Sequence, residues 1–412
     1  MTPLETQSLR MLPDPSKSLP LVTIVTPSFN QGPFIRATIE SVLSQDYPNI
    51  EYVIMDGGST DETTSVVKEY ASRLTFISEK DRGQSHAINK GFRAAKGSIV
   101  SWLNSDDVFL PGAVRAAVNG FGCNPAAGAV YGEGYQIDKA GALIARFPYT
   151  EPFNLWKLIH LSDYILQQTV FFRKSVLDEV GYLEEELHYT MDWDLLIRIG
   201  LQYPLVYLPE YLACLREYPE AKSFSGGAGR LHEIRRMLRK HCGMSVAPAV
   251  VVYGLDTYAR LWCMRLERLS GRKLAPVFRL LQLLIRRTAG MIAGHILFHA
   301  QGLYSDGWVG PVVRYALRRG NGTVLIEGHI PYRIFAPLSQ RFRIHVNGRS
   351  LGNFPVPAGD FQFKLDLSSV CQGQPVFLRV ACSRWRMPLT LRRRVAFRLT
   401  SIRWEEGQPS AA

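Results

Sequence analysis

The chain has 412 residues, 46% of them apolar, and a formal net charge of +12. That is too long for one ordinary domain and is globular in composition; the six cysteines, Cys123, Cys214, Cys242, Cys263, Cys371 and Cys382, form no C-x-x-C pair, which argues against a disulfide frame or a cysteine-zinc site and fits reduced thiols. The charge is divided along the chain: Lys+Arg against Asp+Glu is 19 to 27 over residues 1–229, 13 to 3 over 230–290 and 16 to 6 over 291–412. No nucleic-acid motif accompanies the basic excess, so a solvated surface or an anionic membrane is expected and nucleic acid is not.

Residues 1–20 contain three prolines before Pro20 and no unbroken apolar run, so they read as a flexible tail rather than a signal peptide, and the protein is expected inside the cell. Leu21 to Thr26 is a β-branched strand, closed by Pro27-Ser28-Phe29-Asn30-Gln31-Gly32, and Phe34, Ile35, Ile39, Val42 and Leu43 follow at helical spacing. Glu51 to Asp56 is a second strand, turning through Gly57-Gly58-Ser59-Thr60-Asp61-Glu62 into a helix that carries Val66, Val67 and Tyr70, with Ser59 and Glu62 at capping-box spacing. A third unit runs from the strand Leu74 to Ser78, through Glu79-Lys80-Asp81-Arg82-Gly83-Gln84, to a helix over Ser85 to Ala95. Alternating strands and helices with short loops imply a parallel sheet in an α/β domain.

The fourth strand, Ile99 to Leu103, ends in Asn104-Ser105-Asp106-Asp107, and a helix follows Leu110-Pro111-Gly112. It delivers two adjacent carboxylates to the C-terminal end of a buried strand. Such a pair is costly to hold together without positive charge, and oxygen ligands suit a hard cation such as Mg²⁺ or Mn²⁺ carrying a diphosphate. The plain alternative is a polar turn whose acids cap the next helix. In open α/β sheets ligands bind beyond the carboxyl ends of the strands, which sets the loops at Thr26 to Asn30, Asp56 to Asp61, Lys80 to Gln84 and Asn104 to Asp107 side by side.

Further on, Gly128 to Gly132 is a strand and Tyr135 to Phe147 a hairpin around Lys139-Ala140-Gly141. Phe153 to His160 is a short helix. Gln167 to Phe172 is an apolar strand with a polar entrance, whose glutamines either face water on a sheet edge or approach a ligand. Met191-Asp192-Trp193-Asp194-Leu195 opens a helix with Leu195, Leu196 and Ile199 on its buried side; acids at a helix start are favoured by capping and the helix dipole without any chemistry.

Together, Val25-Thr26-Pro27-Ser28-Phe29-Asn30, Asp56-Gly57-Gly58-Ser59-Thr60-Asp61, Lys90-Gly91-Phe92, Trp102-Leu103-Asn104-Ser105-Asp106-Asp107 and Met191-Asp192-Trp193-Asp194-Leu195 resemble a family 2 glycosyltransferase over residues 20–225. The resemblance implies a Rossmann-like GT-A fold, a nucleotide-sugar donor, a divalent metal (Mn²⁺ or Mg²⁺), inversion at the anomeric carbon and a glycan or lipid-linked acceptor. By position it implies Thr26 at the nucleobase, Asp56 and Asp81 near base and ribose, Pro27, Ser28, Asn30, Arg82, Asn104 and Ser105 among the donor-binding residues, Asp106 as metal ligand, and Gln168 near the sugar. Asp192 would be the base that accepts the acceptor's proton, with Asp194 capping or orienting and Asp107 a secondary candidate. Two residues depart from the pattern: Asn104 stands where the family's first acid does, and Gly57 follows Asp56 where many members have a second acid. Tyr218 stands where relatives often place His, so Arg216 and Lys222 are expected to stabilise the leaving diphosphate. Ser223 to Gly227 reads as a mobile loop.

Residues 230–300 read as basic amphipathic helices, with Val277, Leu281, Leu284 and Ile285 at helical spacing among Arg279, Arg286 and Arg287; no run is long enough to span a bilayer, and docking on an anionic inner leaflet is the sharper reading. From Leu303-Tyr304-Ser305-Asp306-Gly307-Trp308 onward short alternating segments, at Thr323 to Gly328, Phe342 to Val346, Phe361 to Leu367, Val376 to Val380 and Val395 to Leu399, predict a jelly-roll-like β-sandwich with a hairpin at Asn347-Gly348. Trp308 or Trp385 could serve glycan binding there, or the module could be structural. The expected organisation is a tail (1–20), a GT-A domain (21–245), a helical linker (246–300), a β-sandwich (301–407) and a tail (408–412). Two rivals stand: a nucleotidyltransferase of similar fold, which would need a Gly-rich basic loop that is missing after Thr26, and a catalytically silent sugar-binding or scaffold protein, favoured by Asn104 and Tyr218 and opposed by Asp106 and Asp192.

Overall fold

The computed structural model describes residues 19–148, 150–218, 221–222, 226–242, 247–269, 302–303, 308–320, 322–331, 340–370, 374–383 and 395–405, and single positions between 277 and 288. The chain divides into two compact units: Met1–Phe153 with Tyr164–Ile199 and Tyr203–Ala221, and Asn154–Asp163 with Gly200–Gln202 and Lys222–Ala412. Residues 223–225 of the expected loop at 223–227, Tyr304 to Gly307, Arg279, Arg286, Arg287, Cys371 and Trp385 lie outside the described residues, and Gly227 already opens a helix.

In the first unit β1 (Val22–Ser28), α1 (Gly32–Leu43), β2 (Ile50–Asp56), α2 (Thr63–Lys68), β3 (Thr75–Ser78), α3 (Gln84–Ala94) and β4 (Ile99–Trp102) alternate as expected. All seven residues of β1 are buried, because it pairs in parallel with β2 on one side and β4 on the other. Register aligns the strand ends: Ser28 lies opposite Asp56 and Asp56 opposite Ser78. The expected capping box does not form. The Ser59 hydroxyl donates to Asp56 instead, and the N–H of Thr63 bonds Asp61 Oδ1 at 3.0 Å, so the helix starts at Thr63.

The sheet is mixed rather than parallel. After β5 (Val108–Phe109) and α4 (Ala113–Cys123) come β6 (Ala129–Ile137), β7 (Leu143–Arg146), a 3₁₀ turn (Gln167–Thr169), β8 (Phe171–Arg173), α6 (Lys174–Val180), α7 (Met191–Gly200) and β9 (Leu205–Arg216), with α5 (Leu155–His160) grouped in the second unit. Among the described residues the order is β3-β2-β1-β4-β8-β6-β9-β5, with β7 on β6. The segment after Gln167 is therefore no edge strand: β8 runs antiparallel between β4 and β6, and the glutamines sit in the turn before it, both buried. The hairpin at Lys139 forms, closed by Asp138 Oδ1, which accepts from the N–H groups of Ala140 and Ala142 at 2.9 and 2.8 Å. Ile24, Ile39, Ile54, Leu103, Val114, Val130 and Phe171 belong to one apolar core.

The second unit holds α8 (Gly227–Cys242), expected within the first domain, and α9 (Pro248–Leu269), expected in a linker. Its strands are β10 (Trp308–Val309), β11 (Val312–Leu317), β12 (Thr323–Ile330), β13 (Gln340–Val346), β14 (Arg349–Val356), β15 (Gly359–Asp366), β16 (Val376–Cys382) and β17 (Phe397–Trp404). Among the described residues they form two four-stranded sheets, β10-β17-β12-β15 and β11-β16-β13-β14, whose inner residues share one core, the β-sandwich expected. Asn347 and Gly348 turn β13 into β14 with φ of 48° and 83°, a left-handed pair that suits a two-residue hairpin. No helix among the described residues is long and apolar enough to cross a membrane.

Candidate active site

The ends of β1, β2 and β4 meet at one edge of the first unit's sheet. Ser28 carries a buried hydroxyl with no hydrogen-bonding partner among the described residues. Asn30, at φ 53°, ties the first loop to the second: its N–H donates to Ser59 Oγ at 2.8 Å and its Oδ1 accepts from Thr60 N–H at 2.9 Å. Thr26 is fully buried, and its hydroxyl pairs with Tyr52 OH at 3.1 Å. Pro27 is buried beside it.

Asp56 is enclosed and organises its loop. It accepts from the N–H groups of Gly58 and Ser59 at 3.1 and 3.0 Å, from Ser59 Oγ, and from Ser78 Oγ at 2.6 Å. The Gly57 departure has a steric reason: a Cβ there would lie 2.8 Å from Asp81 Oδ2, so an acid at 57 would displace Asp81. Asp81 itself accepts from Gly83 N–H at 2.8 Å at the start of α3. Arg82 points elsewhere, into an exposed ion pair with Glu185 at 2.5 Å.

The acidic pair sits in a polar cage. Asp107 is buried and takes three donors: Arg216 N–H on Oδ1 at 2.8 Å, and Gln168 Nε2 at 2.7 Å and Asn104 Nδ2 at 3.0 Å on Oδ2. Asn104 in turn accepts from Gln84 Nε2 at 2.8 Å. The Asn104 departure thus supplies an amide donor to Asp107, which an aspartate could not. Gln168 is occupied by Asp107 in this arrangement. Ser105, between them, is buried.

Asp106 is capped by Tyr218, whose hydroxyl donates to Oδ2 at 2.8 Å, while the Tyr218 ring packs 5.0 Å from that of Phe34. Burial raises the Asp106 pKa, against the Tyr218 hydrogen bond and the Arg216 charge. Burial first and the Asp106 charge second raise that of Asp107. The Arg216 guanidinium is held by main-chain carbonyls: Nε donates to Asp106 O at 2.7 Å, Nη1 to Asp138 O and Lys139 O at 3.1 Å each, and the group lies 5.2 Å over Phe34. Its charge still favours the ionised form of Asp106. Lys222 falls in the second unit.

The start of α7 is brought to the start of α3, where Ser85 Oγ lies 3.0 Å from Met191 Sδ and 3.2 Å from Leu187 O. The two acids that follow differ. Asp194 is fully buried and ion-paired with Arg198 at 2.7 Å, which also donates to Val180 O, Gly181 O and Tyr182 O. Asp192 is half-buried, one carboxylate oxygen accepting from Trp193 N–H at 2.9 Å. Gln84, Gln167 and Tyr218 complete the site. Polar residues abound in loops, so no signal in the sequence separates the first two; Tyr218 was marked only as a missing His.

The description "Glycosyl transferase family 2" fits residues 23–180, which include β1 to β4 and both acids of the cage. Residues 23–180 match a family 2 glycosyltransferase domain. Chondroitin synthase of Escherichia coli is 36% identical over 187 residues, 45% of this chain and 27% of that protein. A PGL/p-HBAD biosynthesis glycosyltransferase of Mycobacterium bovis is 28% identical over 43% of this chain and 69% of its own length, and an uncharacterised glycosyltransferase of Rickettsia prowazekii 29% identical over 43% and 57%. The chain thus spans about half the length of that last relative and a quarter of the synthase. Among solved structures, Staphylococcus aureus TarS 1–349 with UDP-GlcNAc is 17% identical with a TM-score of 0.44, covering 58% of this chain and 72% of its own. The mannosyltransferase PcManGT of Pyrobaculum calidifontis, with GDP-Man and Mn²⁺, is 20% identical with a TM-score of 0.46, covering 72% and 90%. The glycosyltransferase domain's two departures from its family pattern, Asn104 and Gly57, are both accounted for by the contacts above.

Proposed function

We propose that the chain moves a sugar from a nucleotide-sugar donor to a hydroxyl of a glycan or lipid-linked acceptor, with inversion, in the synthesis of a surface polysaccharide or related glycoconjugate. The observation that carries this reading is the buried acidic pair Asp106-Asp107, braced by Asn104, Gln168, Arg216 and Tyr218 at the sheet edge where Ser28 offers an unpaired hydroxyl. Two buried carboxyls adjacent in sequence, both pushed upward by burial and Asp107 also by the charge of Asp106, favour a cation. The residues fit one through Asp106 alone: both oxygens of Asp107 are taken, and no group of three His, Cys, Asp or Glu side chains is gathered among the described residues. An Mn²⁺ or Mg²⁺ held by Asp106 would draw its other ligands from diphosphate and water, and it would offset the charge of the leaving nucleoside diphosphate.

Asp192 is the base in this reading. Of the two acids of α7, Asp194 is committed to Arg198 by an ion pair at 2.7 Å, and Asp192 is the one that matches the family's base by position. A proton on the acceptor hydroxyl passes to Asp192 as the hydroxyl attacks the anomeric carbon and the bond from that carbon to the diphosphate oxygen breaks, releasing the nucleoside diphosphate. The reading also includes contact with an anionic membrane, supported by Tyr258 and Trp262, exposed one turn apart on α9, which follows the Arg- and Lys-rich α8.

Nucleotide-induced stabilisation tests the donor site. UDP or GDP with Mn²⁺ should raise the melting temperature of the wild-type chain and not of Asp106→Ala. Equal shifts in both proteins would refute the assignment of Asp106.

A further inference from the structure

The second unit contains a cavity that the transferase reading does not use. In the sheet β11-β16-β13-β14 the register sets Arg314 opposite Arg379, and Arg379 opposite His345, so the three side chains stand in a row on one face. That face is the outer one, since Val313, Leu378, Val380, Ile344 and Val346 alternate with them and fill the sandwich core. Helix α5 lies against β11 on this side. Its Trp156 stacks on His160 with centroids 4.5 Å apart, and His160 meets Phe377 edge-on at 5.8 Å. A cavity of about 480 Å³ opens here, lined by Trp156, Arg314, His345, Phe377 and Arg379 among others.

The charge around it is one-sided. The four strands of this sheet carry Arg314, Arg341, Arg343, Arg349 and Arg379 and not a single Asp or Glu, whereas the opposite sheet carries Glu327, Asp360 and Asp366 among its bases. Arg314 is half-buried, and burial first and the like charge of Arg379 second lower its pKa below the usual arginine value. The Nδ1 of His345 is buried with no hydrogen-bonding partner among the described residues. Two guanidiniums facing one another across a cross-strand pair, beside an unsatisfied imidazole nitrogen, suit an anion able to accept several hydrogen bonds. The volume is far more than a bare ion requires, and it lies in the range of small-molecule sites. Two aromatic rings in its wall suit the carbon skeleton of a sugar.

We propose that this cavity binds a saccharide bearing an oxyanion, with Arg314 and Arg379 holding the anion and His345 contributing a further hydrogen bond. The anion could be a phosphate ester or a uronate carboxylate, which share this chemistry. The proposal needs no turnover, so it stands or falls separately from the transferase reading.

Calorimetric titration of the full chain with glucose 6-phosphate, glucuronate and glucose tests it. At least one of the two anionic sugars should bind, and the stronger of them names the source; neutral glucose should bind at least tenfold more weakly. Arg379→Gln and Arg314→Lys should each weaken that binding tenfold or more while leaving donor-nucleotide stabilisation unchanged, and Arg398→Gln, on the other sheet, should leave it intact. Binding of glucose as tight as that of the anions, the same affinity in Arg379→Gln as in wild type, or no binding by any of the three would overturn the proposal. Circular dichroism of each variant separates lost binding from lost folding; should Arg379→Gln not fold, Arg314→Lys alone decides.

Discussion

Tyr218 donates its hydroxyl hydrogen bond to Asp106 Oδ2 at 2.8 Å, while the main chain two residues earlier, at Arg216 N–H, donates to Asp107 at the same distance. The end of β9 therefore clamps both acids of the pair from one side. A hydrogen bond to a charged acceptor contributes about 1.5–3 kcal/mol. Tyr218→Phe should lower stability to urea by an amount of that order, and a double-mutant cycle with Asp106→Asn should show coupling; additive effects would mean that the contact contributes nothing.

Asp107 is the structural acid of the pair. Asp107→Ala leaves three buried donors, from Asn104, Gln168 and Arg216, without their acceptor. It should cost about 3 kcal/mol or more, with Asp107→Asn milder because it keeps the shape and two lone pairs. Chemical denaturation of both variants checks the order, and equal losses would contradict it.

The two acids of α7 should separate by readout. Asp192→Asn should fold with unchanged stability and lose turnover by roughly 10²- to 10⁴-fold. Arg198→Met strands the buried Asp194 carboxylate and should cost about 3–5 kcal/mol. Full turnover in Asp192→Asn would move the base elsewhere.

His160 makes the second unit sensitive to acid. Burial, against its hydrogen bond to Trp156 O, pushes its pKa down to about 4 from an ordinary 6.5, with the Arg314 charge adding to the shift. The unfolded chain thus binds this proton more readily than the folded one, so its contribution is fully present above about pH 6.5 and is lost as pH falls through about 4, by up to about 3 kcal/mol. His160→Gln should flatten the melting temperature across that window; an unchanged slope would assign the acid sensitivity to other groups.

The strands and helices from Val22 to Trp102 were legible because each apolar run ends in turn residues and each helix has a clear buried side. The mixed character of the sheet was not. Alternation of elements says nothing about strand direction once the chain reaches the three-residue β8, and β9, with Pro209, Glu210 and Tyr211 in its middle, does not read as a strand. At the site, residue types and loops were legible but their partners were not. Ser59 looked like a helix cap until Asp56 claimed its hydroxyl, and Arg216 looked like a phosphate ligand until its guanidinium was found on three main-chain carbonyls. Hydrogen bonds between residues as far apart as Asn104 and Gln167, or Asp106 and Tyr218, depend on the closed fold and leave no periodic trace.

The most direct measurement is release of nucleoside diphosphate from a panel of nucleotide sugars, with Mn²⁺, Mg²⁺ or EDTA, by the wild-type chain, Asp106→Ala and Asp192→Asn. Metal-dependent release from one donor, increased by an acceptor glycan and lost in both variants, is the predicted result. Release that persists in Asp106→Ala, or no release from any donor with acceptors supplied, would contradict a transferase centred on this acidic pair.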